Sequence, residues 1–321
     1  MAAVDVPVKS PMSGPRSAVL IVSACVLSVM GCRSGESQEP PSNDTVAMYR
    51  AQTDWTSPGE HATMYAHLPC SERRLCELIK RQLIHPFELH KFATEVGEKW
   101  RFEDLEFPTV SSMLDGLAER GEPELSTARS PEDRLVVACW HHALLLASML
   151  RHQRVPVRLR AGFARYIGRG SGLHVGHVIC EVWDEKGLRW FLVDPDREKV
   201  DFSRRAFEFA PEAWESLRDG ADVSGYRSAH YEDAAAIVHL LSVDMRCVLG
   251  REVPYWHDPE IVQASAKGLS PLREEQLGVL DRVASCLRQP DTSLQELAAI
   301  QSSNAFLKEV DRSEELRRAL P

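Results

Sequence analysis

Between residues 137 and 196 the hydrophobic period changes once and then stays changed. VACWHHALLLASML runs apolar at helical spacing, through Ala143, Leu144, Leu145, Leu146, Ala147, Met149 and Leu150. VRLRAGFARY then alternates Val157, Leu159, Ala161 and Phe163 with Arg158, Arg160 and Gly162, at the strand period of two. HVICEVW and LRWFLVD follow as two further strands, separated by Asp184, Glu185, Lys186 and Gly187, a connection of hairpin length. A helix followed directly by three strands, the last two a hairpin, has few ways to bury its apolar stripe. The helix must lie on an antiparallel sheet, which makes the fold class α+β.

The same stretch carries a cysteine, a histidine and an aspartate, each at the boundary of an element. Cys139 precedes the apolar helix, where unpaired backbone N–H groups and the positive end of the dipole favour a thiolate. Those N–H groups could also hold the oxyanion of a tetrahedral intermediate. His177 opens one strand of the hairpin and Asp194 ends the other. If Trp183 pairs with Leu188, His177 and Asp194 lie directly opposite each other. The carboxylate would then fix the imidazole tautomer and leave its second nitrogen for the thiol. Parity places His177, Ile179, Glu181 and Trp183 on one face, and Cys180 with Val178 and Val182 on the other, which reads as core. His174, in a glycine loop bounded by Gly172 and Gly176, competes with His177 for the role of base but has no such fixed partner.

Cys139, the strand opening with His177 and the LVDP segment carrying Asp194 resemble the transglutaminase-like superfamily, across about residues 131–200. The flank LLLASMLRHQRVPVRLRAGFARY is similar to the helix, turn and strand that follow the cysteine in bacterial members. A looser likeness to a bacterial subfamily extends from LIH near Leu83 to LDRVASCL near Leu280. The resemblance implies a papain-like core with a Cys-His-Asp triad and acyl transfer through a cysteine thioester to an amine or to water, with no metal or organic cofactor. The substrate would be a peptide, a protein or a small amide or thioester. A cysteine peptidase or amidase would use the same residues, and a non-catalytic binding module would retain the fold without turnover. Bacterial relatives often carry arginine and aspartate after the cysteine, whereas here Trp140, His141 and His142 follow. Trp140 is expected to pack beside the thiol. Trp140, His141 and His174 are candidates to line a substrate subsite; the plainer expectation for the His141–His142 pair is one packed and one solvated.

The 321 residues, 44% hydrophobic and 26% charged, suffice for one large domain. A net charge of −9 without long acidic runs argues against a nucleic-acid partner. Residues 1–47 differ in kind. Lys9 and Arg16 precede an apolar run from Ala18 to Met30, and Val29-Met30-Gly31-Cys32 resembles a bacterial lipobox ahead of a polar stretch. The expectation is a cleaved leader, lipidation at Cys32 and a membrane tether, with a cytoplasmic protein as the alternative. Residues 48–130 read as a helical segment packing on the core, 131–202 as the catalytic core and 203–321 as a helical C-terminal segment, with helices near Tyr231–Leu249, Pro271–Leu287 and Leu294–Val310. Ser130-Pro131-Glu132-Asp133 is a helix-start signal ahead of Cys139.

Eight cysteines are scattered along the chain, and with Cys25, Cys32 and Cys139 otherwise assigned an odd number remains, poor grounds for a disulfide framework. Cys70 and Cys76 are the one possible local pair. Without a close CxxC or an HExxH, no metal site is expected. Arg158, Arg160, Arg165 and Arg169 would either attract an acidic group or form a solvated strand face, and the solvated face is the simpler expectation.

Overall fold

A computed structural model describes residues 43–92, 103–121 and 124–319. The expected leader with Cys32 lies outside the described residues. Among those residues no helix is long and apolar enough to cross a membrane.

The Cys139 helix, α4 (Cys139–His152), follows α1 (Asn43–Arg50), α2 (Glu72–Lys80) and α3 (Val110–Glu119). Its fourteen residues contain no β-branched side chain, and nearly all of them are buried. The helix ends in a Schellman turn: Val155 N–H reaches Leu150 C=O at 2.9 Å and Arg154 N–H reaches Arg151 C=O at 3.0 Å. Arg154 occupies the left-handed position of that turn, at φ 65°. Ahead of the helix, the Ser130–Asp133 signal yields only one 3-10 turn, Pro131–Asp133. Leu135–Val136 then forms a short strand, β2, pairing in parallel with β1 (Leu83–Ile84). Parallel pairing sends both chains out at the same end, so His85 leaves β1 where the chain leaves β2 for Cys139.

The main sheet runs in the order β6 (Lys199–Val200), β5 (Arg189–Asp194), β4 (His174–Asp184), β3 (Val157–Ala164), β7 (Phe207–Phe209). A further strand, β8 (Tyr226–Ser228), pairs in parallel with the start of β4 through His174 and Val175. His174 is therefore a strand residue and not part of the glycine loop. Gly162 makes the β3–β7 approach possible, since a Cβ there would stand 2.2 Å from the Glu208 carbonyl oxygen.

The hairpin register differs from the expectation by two residues. Trp183 pairs with Trp190 and Asp184 with Arg189, so the loop is Glu185–Leu188. Leu188 sits at φ 48° and is exposed, and Asp184 accepts a bond from Lys186 N–H at 3.0 Å, so Leu188 belongs to the turn. A slip of two conserves parity, whereas a slip of one would reverse it. His177 and Asp194 stay on one face but as diagonal neighbours beyond the last paired residues, Cys180 and Val193.

Val157, Leu159, Ala161 and Phe163 of β3 join Val178, Cys180, Val182 and Val193 in the large core with α4. The other face of the sheet is also covered, which corrects the expected solvated arginine face. Arg158 lies over Trp190, 4.2 Å from its ring centre, and pairs with Glu181 at 2.8 Å and Asp291 at 2.5 Å. Arg160 bridges Glu181 and Asp244, each at 2.9 Å. Asp244 lies on α6 (Asp233–Val248), the next helix after α5 (Ala210–Arg218), which itself follows β7. It also accepts the Ala161 N–H at 2.8 Å, just past the point where β7 stops pairing. Arg165 and Arg169 remain exposed.

Residues 203–321 hold helices at Asp233–Val248, Glu274–Arg288 and Pro290–Ser303, close to the expected three, but they also supply β7 and β8 to the sheet. Cys70 is exposed and Cys76 buried, and both are free thiols, so the local pair is not formed.

Candidate active site

Cys139 is the first residue of α4, and Ala138 before it gives the helix no side-chain cap. First-turn N–H groups of a helix have no intrahelical partner, so Cys139 stands among such donors, of which the His141 N–H is taken by the Ala138 carbonyl at 3.0 Å. The turn is fastened from outside. Asp104 accepts the Ala138 N–H at 2.9 Å and the Tyr255 hydroxyl at 2.5 Å. Burial pushes the Asp104 carboxyl up, against the pull of His141 and the Tyr255 hydrogen bond.

His177 is buried on β4, and its Nε2 stands 2.9 Å from Asp194 Oδ2. Asp194 holds two further donors: the Tyr166 hydroxyl on Oδ2 at 2.6 Å and the Arg197 N–H on Oδ1 at 3.0 Å. The second of these closes the turn DPDR on the aspartate itself. With Nε2 donating to a carboxylate so held, Nδ1 is the ring nitrogen left for the thiol, and His177 and Cys139 are near enough to shift each other's protonation.

Electrostatics within this group favour the ion pair. Burial alone would raise the Cys139 thiol, but the charge of the adjacent His177, with a smaller pull from His85, brings it down to about 6. Burial opposes a charged His177, and the Asp194 and Cys139 charges overcome it, holding the imidazole well above its ordinary range. Thiolate and imidazolium stabilise each other here, as close opposite charges do when water is excluded.

The neighbours of Cys139 occupy places the sequence did not separate. Trp140 and His141 are fully enclosed. Trp140 meets the rings of His141, Tyr255 and Trp256 edge-on, and His141 stacks on Trp256 with centroids 6.0 Å apart. They form the packed wall behind the helix start and do not line an open subsite. His142 is also enclosed, so neither histidine is solvated. Its Nδ1 is bonded to the Ala138 carbonyl at 3.1 Å, and burial pushes it down to about 3 despite Asp196 at 3.8 Å. His174 is half-exposed, stacked on Tyr226 with centroids 4.1 Å apart, its Nδ1 3.4 Å from Glu208. Cys180 is core, donating its S–H to the Ala143 carbonyl of α4.

Tyr166, Asp104, Tyr255 and His85 reach the site without having been singled out beforehand. Tyr166 ends the FARY run two residues past β3, and His85 ends the LIH segment; neither has a spacing that marks it as part of a site. Among the described residues, no group of three or more His, Cys, Asp or Glu side chains is placed to hold a metal ion.

A family profile described as Transglutaminase-like superfamily matches residues 129–195, from just before β2 to the residue after Asp194. The chain thus carries a transglutaminase-like domain, and its mixed α+β architecture is that of a papain-like core. A domain of that kind supports a papain-like cysteine enzyme family in general terms. No curated protein and no solved structure matches the chain.

Proposed function

We propose that the protein is a thiol enzyme that transfers an acyl group through a thioester on Cys139 to an amine or to water. What carries the reading is the succession of Cys139 at an uncapped helix start, His177 beside it, and Asp194 hydrogen-bonded to His177. In the first half-reaction the Cys139 proton resides on His177 Nδ1 and the thiolate sulfur attacks the carbonyl carbon of an amide or thioester. The tetrahedral intermediate collapses, the bond to the leaving nitrogen or sulfur breaks, and His177 returns the proton to the leaving group. In the second half-reaction His177 takes a proton from the incoming amine or water, which displaces the sulfur and restores the thiol. Asp194 orients the ring and stabilises the imidazolium throughout.

Intact-mass analysis of the protein after incubation with a cell extract tests this. An adduct confined to Cys139 and absent from Cys139→Ala is the expected result, and release by an added primary amine would identify the acceptor class. If extracts leave the mass of the native protein unchanged while Cys139 still alkylates rapidly, the site is a binding module and the proposal fails.

A further inference from the structure

The Cys139 sulfur has a second imidazole beside it. His85 follows Ile84 of β1, and the parallel ladder Leu83 to Leu135 and Ile84 to Val136, extended by Val137 N–H to Ile84 C=O at 3.0 Å, brings its backbone level with the turn into α4. The ring is buried, against His142 at 6.2 Å and Phe87 at 5.1 Å between centroids. Its Nδ1 accepts the Phe87 N–H at 3.2 Å. A ring nitrogen that accepts from an amide carries no proton, so the ring's proton sits on Nε2. His85 stands close enough to Cys139 to help lower its thiol, and with Nδ1 occupied the nitrogen left to face the sulfur is Nε2. His177 is oriented in the opposite sense: its Nε2 faces a carboxylate and its Nδ1 is free to accept a proton. Two histidines therefore share one sulfur, one fixed as a donor by a backbone amide and one fixed as an acceptor by an aspartate.

We propose that His85 is a catalytic residue of the acyl transfer described above, its Nε2–H forming the oxyanion hole together with the backbone N–H of Cys139. The inference rests on that reading of Cys139. Before attack, the donor steadies the thiolate. When the sulfur bonds to the carbonyl carbon, its negative charge passes to the carbonyl oxygen, one bond further out. The Nε2–H then follows the charge to that oxygen, where the Cys139 N–H at the helix start meets it from the backbone side. His85 neither gives up nor takes a proton in this scheme. The Phe87 amide on Nδ1 keeps it a donor in every step.

An oxyanion donor is separable from a group that only tunes the thiol, because alkylation at a saturated carbon develops no oxyanion. The full-length protein and its His85→Ala and His85→Gln variants are compared in two reactions of Cys139: burst acylation by p-nitrophenyl acetate and alkylation by iodoacetamide. His85→Ala should slow acylation by about 10²–10³-fold, the usual loss on removing one oxyanion donor, while alkylation changes by less than about tenfold. His85→Gln, which restores an N–H, should recover at least about tenfold of the acylation rate on the same grounds. Should His85→Ala not fold, His85→Leu fills the space without a donor and takes its place. Equal losses in both reactions, or unaltered acylation in the donorless variant, overturn the assignment. Rapid alkylation of the native protein without any burst would instead refute the acyl-transfer reading itself, and this inference with it.

Discussion

Cys139 should be an unusually reactive thiol in weak acid and an ordinary or slow one in base. Its thiol is held at about 6, where a free cysteine stands at ~8.5. At pH 7 that makes it ~90% thiolate against ~3% for a free thiol, a ratio of ~30. A less basic sulfur is a poorer nucleophile, and a Brønsted slope of ~0.4–0.5 over ~2.5 units costs ~10–18-fold. The net advantage at pH 7 is only ~2–3-fold, whereas at pH 6 the fractions are ~50% and ~0.3% and the net advantage is ~10-fold. At pH 9 the order inverts and the free thiol is faster by ~10-fold. The assay is reaction with 2,2′-dipyridyl disulfide from pH 4.5 to 9, subtracting the trace of Cys139→Ser so that exposed Cys70 does not contribute. Replacing His177 with Gln removes the largest influence that lowers the thiol while burial remains. The rise should move to pH 8.5 or above, and the pH 6 rate should fall by about tenfold by the same arithmetic. A native profile that rises only near pH 8.5, or a His177→Gln profile superimposable on the native one, would refute the ion pair.

Two further outcomes follow from the neighbours of the site. Tyr166→Phe removes the hydroxyl that shares Asp194 Oδ2 with His177; a hydrogen bond to a charged group is worth ~1.5–3 kcal/mol, so burst acylation should fall by about tenfold or more with little change in fold, and an unchanged burst would show the hydroxyl to be idle. Arg160→Met leaves Glu181 and Asp244 buried with one partner fewer and should cost ~3–5 kcal/mol in urea unfolding, with a loss under ~1 kcal/mol contradicting the burial argument.

The helix beginning at Cys139, the alternation in β3 and the hairpin of β4 and β5 were legible because each is long enough for its period to show. The face shared by His177 and Asp194 was legible for the same reason, since it depends on parity and survives a two-residue error in register. The register itself was not, because Leu188 is apolar and reads as strand while its positive φ makes it turn. β1, β2, β7 and β8 have two or three residues each, too few for any period. His85, Asp104 and Tyr255 come to Cys139 from far along the chain in either direction, and only the packed fold brings them together. The burial of Arg158 and Arg160 was hidden for a related reason: an alternating strand looks solvated until Asp244 and Asp291 are known to cover it.

Those two arginines impose an order on the life of the molecule. Arg158 leaves the ribosome 133 residues before Asp291, and Arg160 leaves it 84 before Asp244. Until both acids have emerged, the two cations of the strand that flanks the hairpin of His177 share the carboxylate of Glu181, too little negative charge to bury both at acceptable cost. Contacts so distant in sequence slow folding and hold its completion back until Asp291 has emerged. A nascent chain that stops short of Asp291 therefore displays a loose, proteolysable sheet beside Cys139, and the setting of the thiol is completed only once the polypeptide has passed that residue.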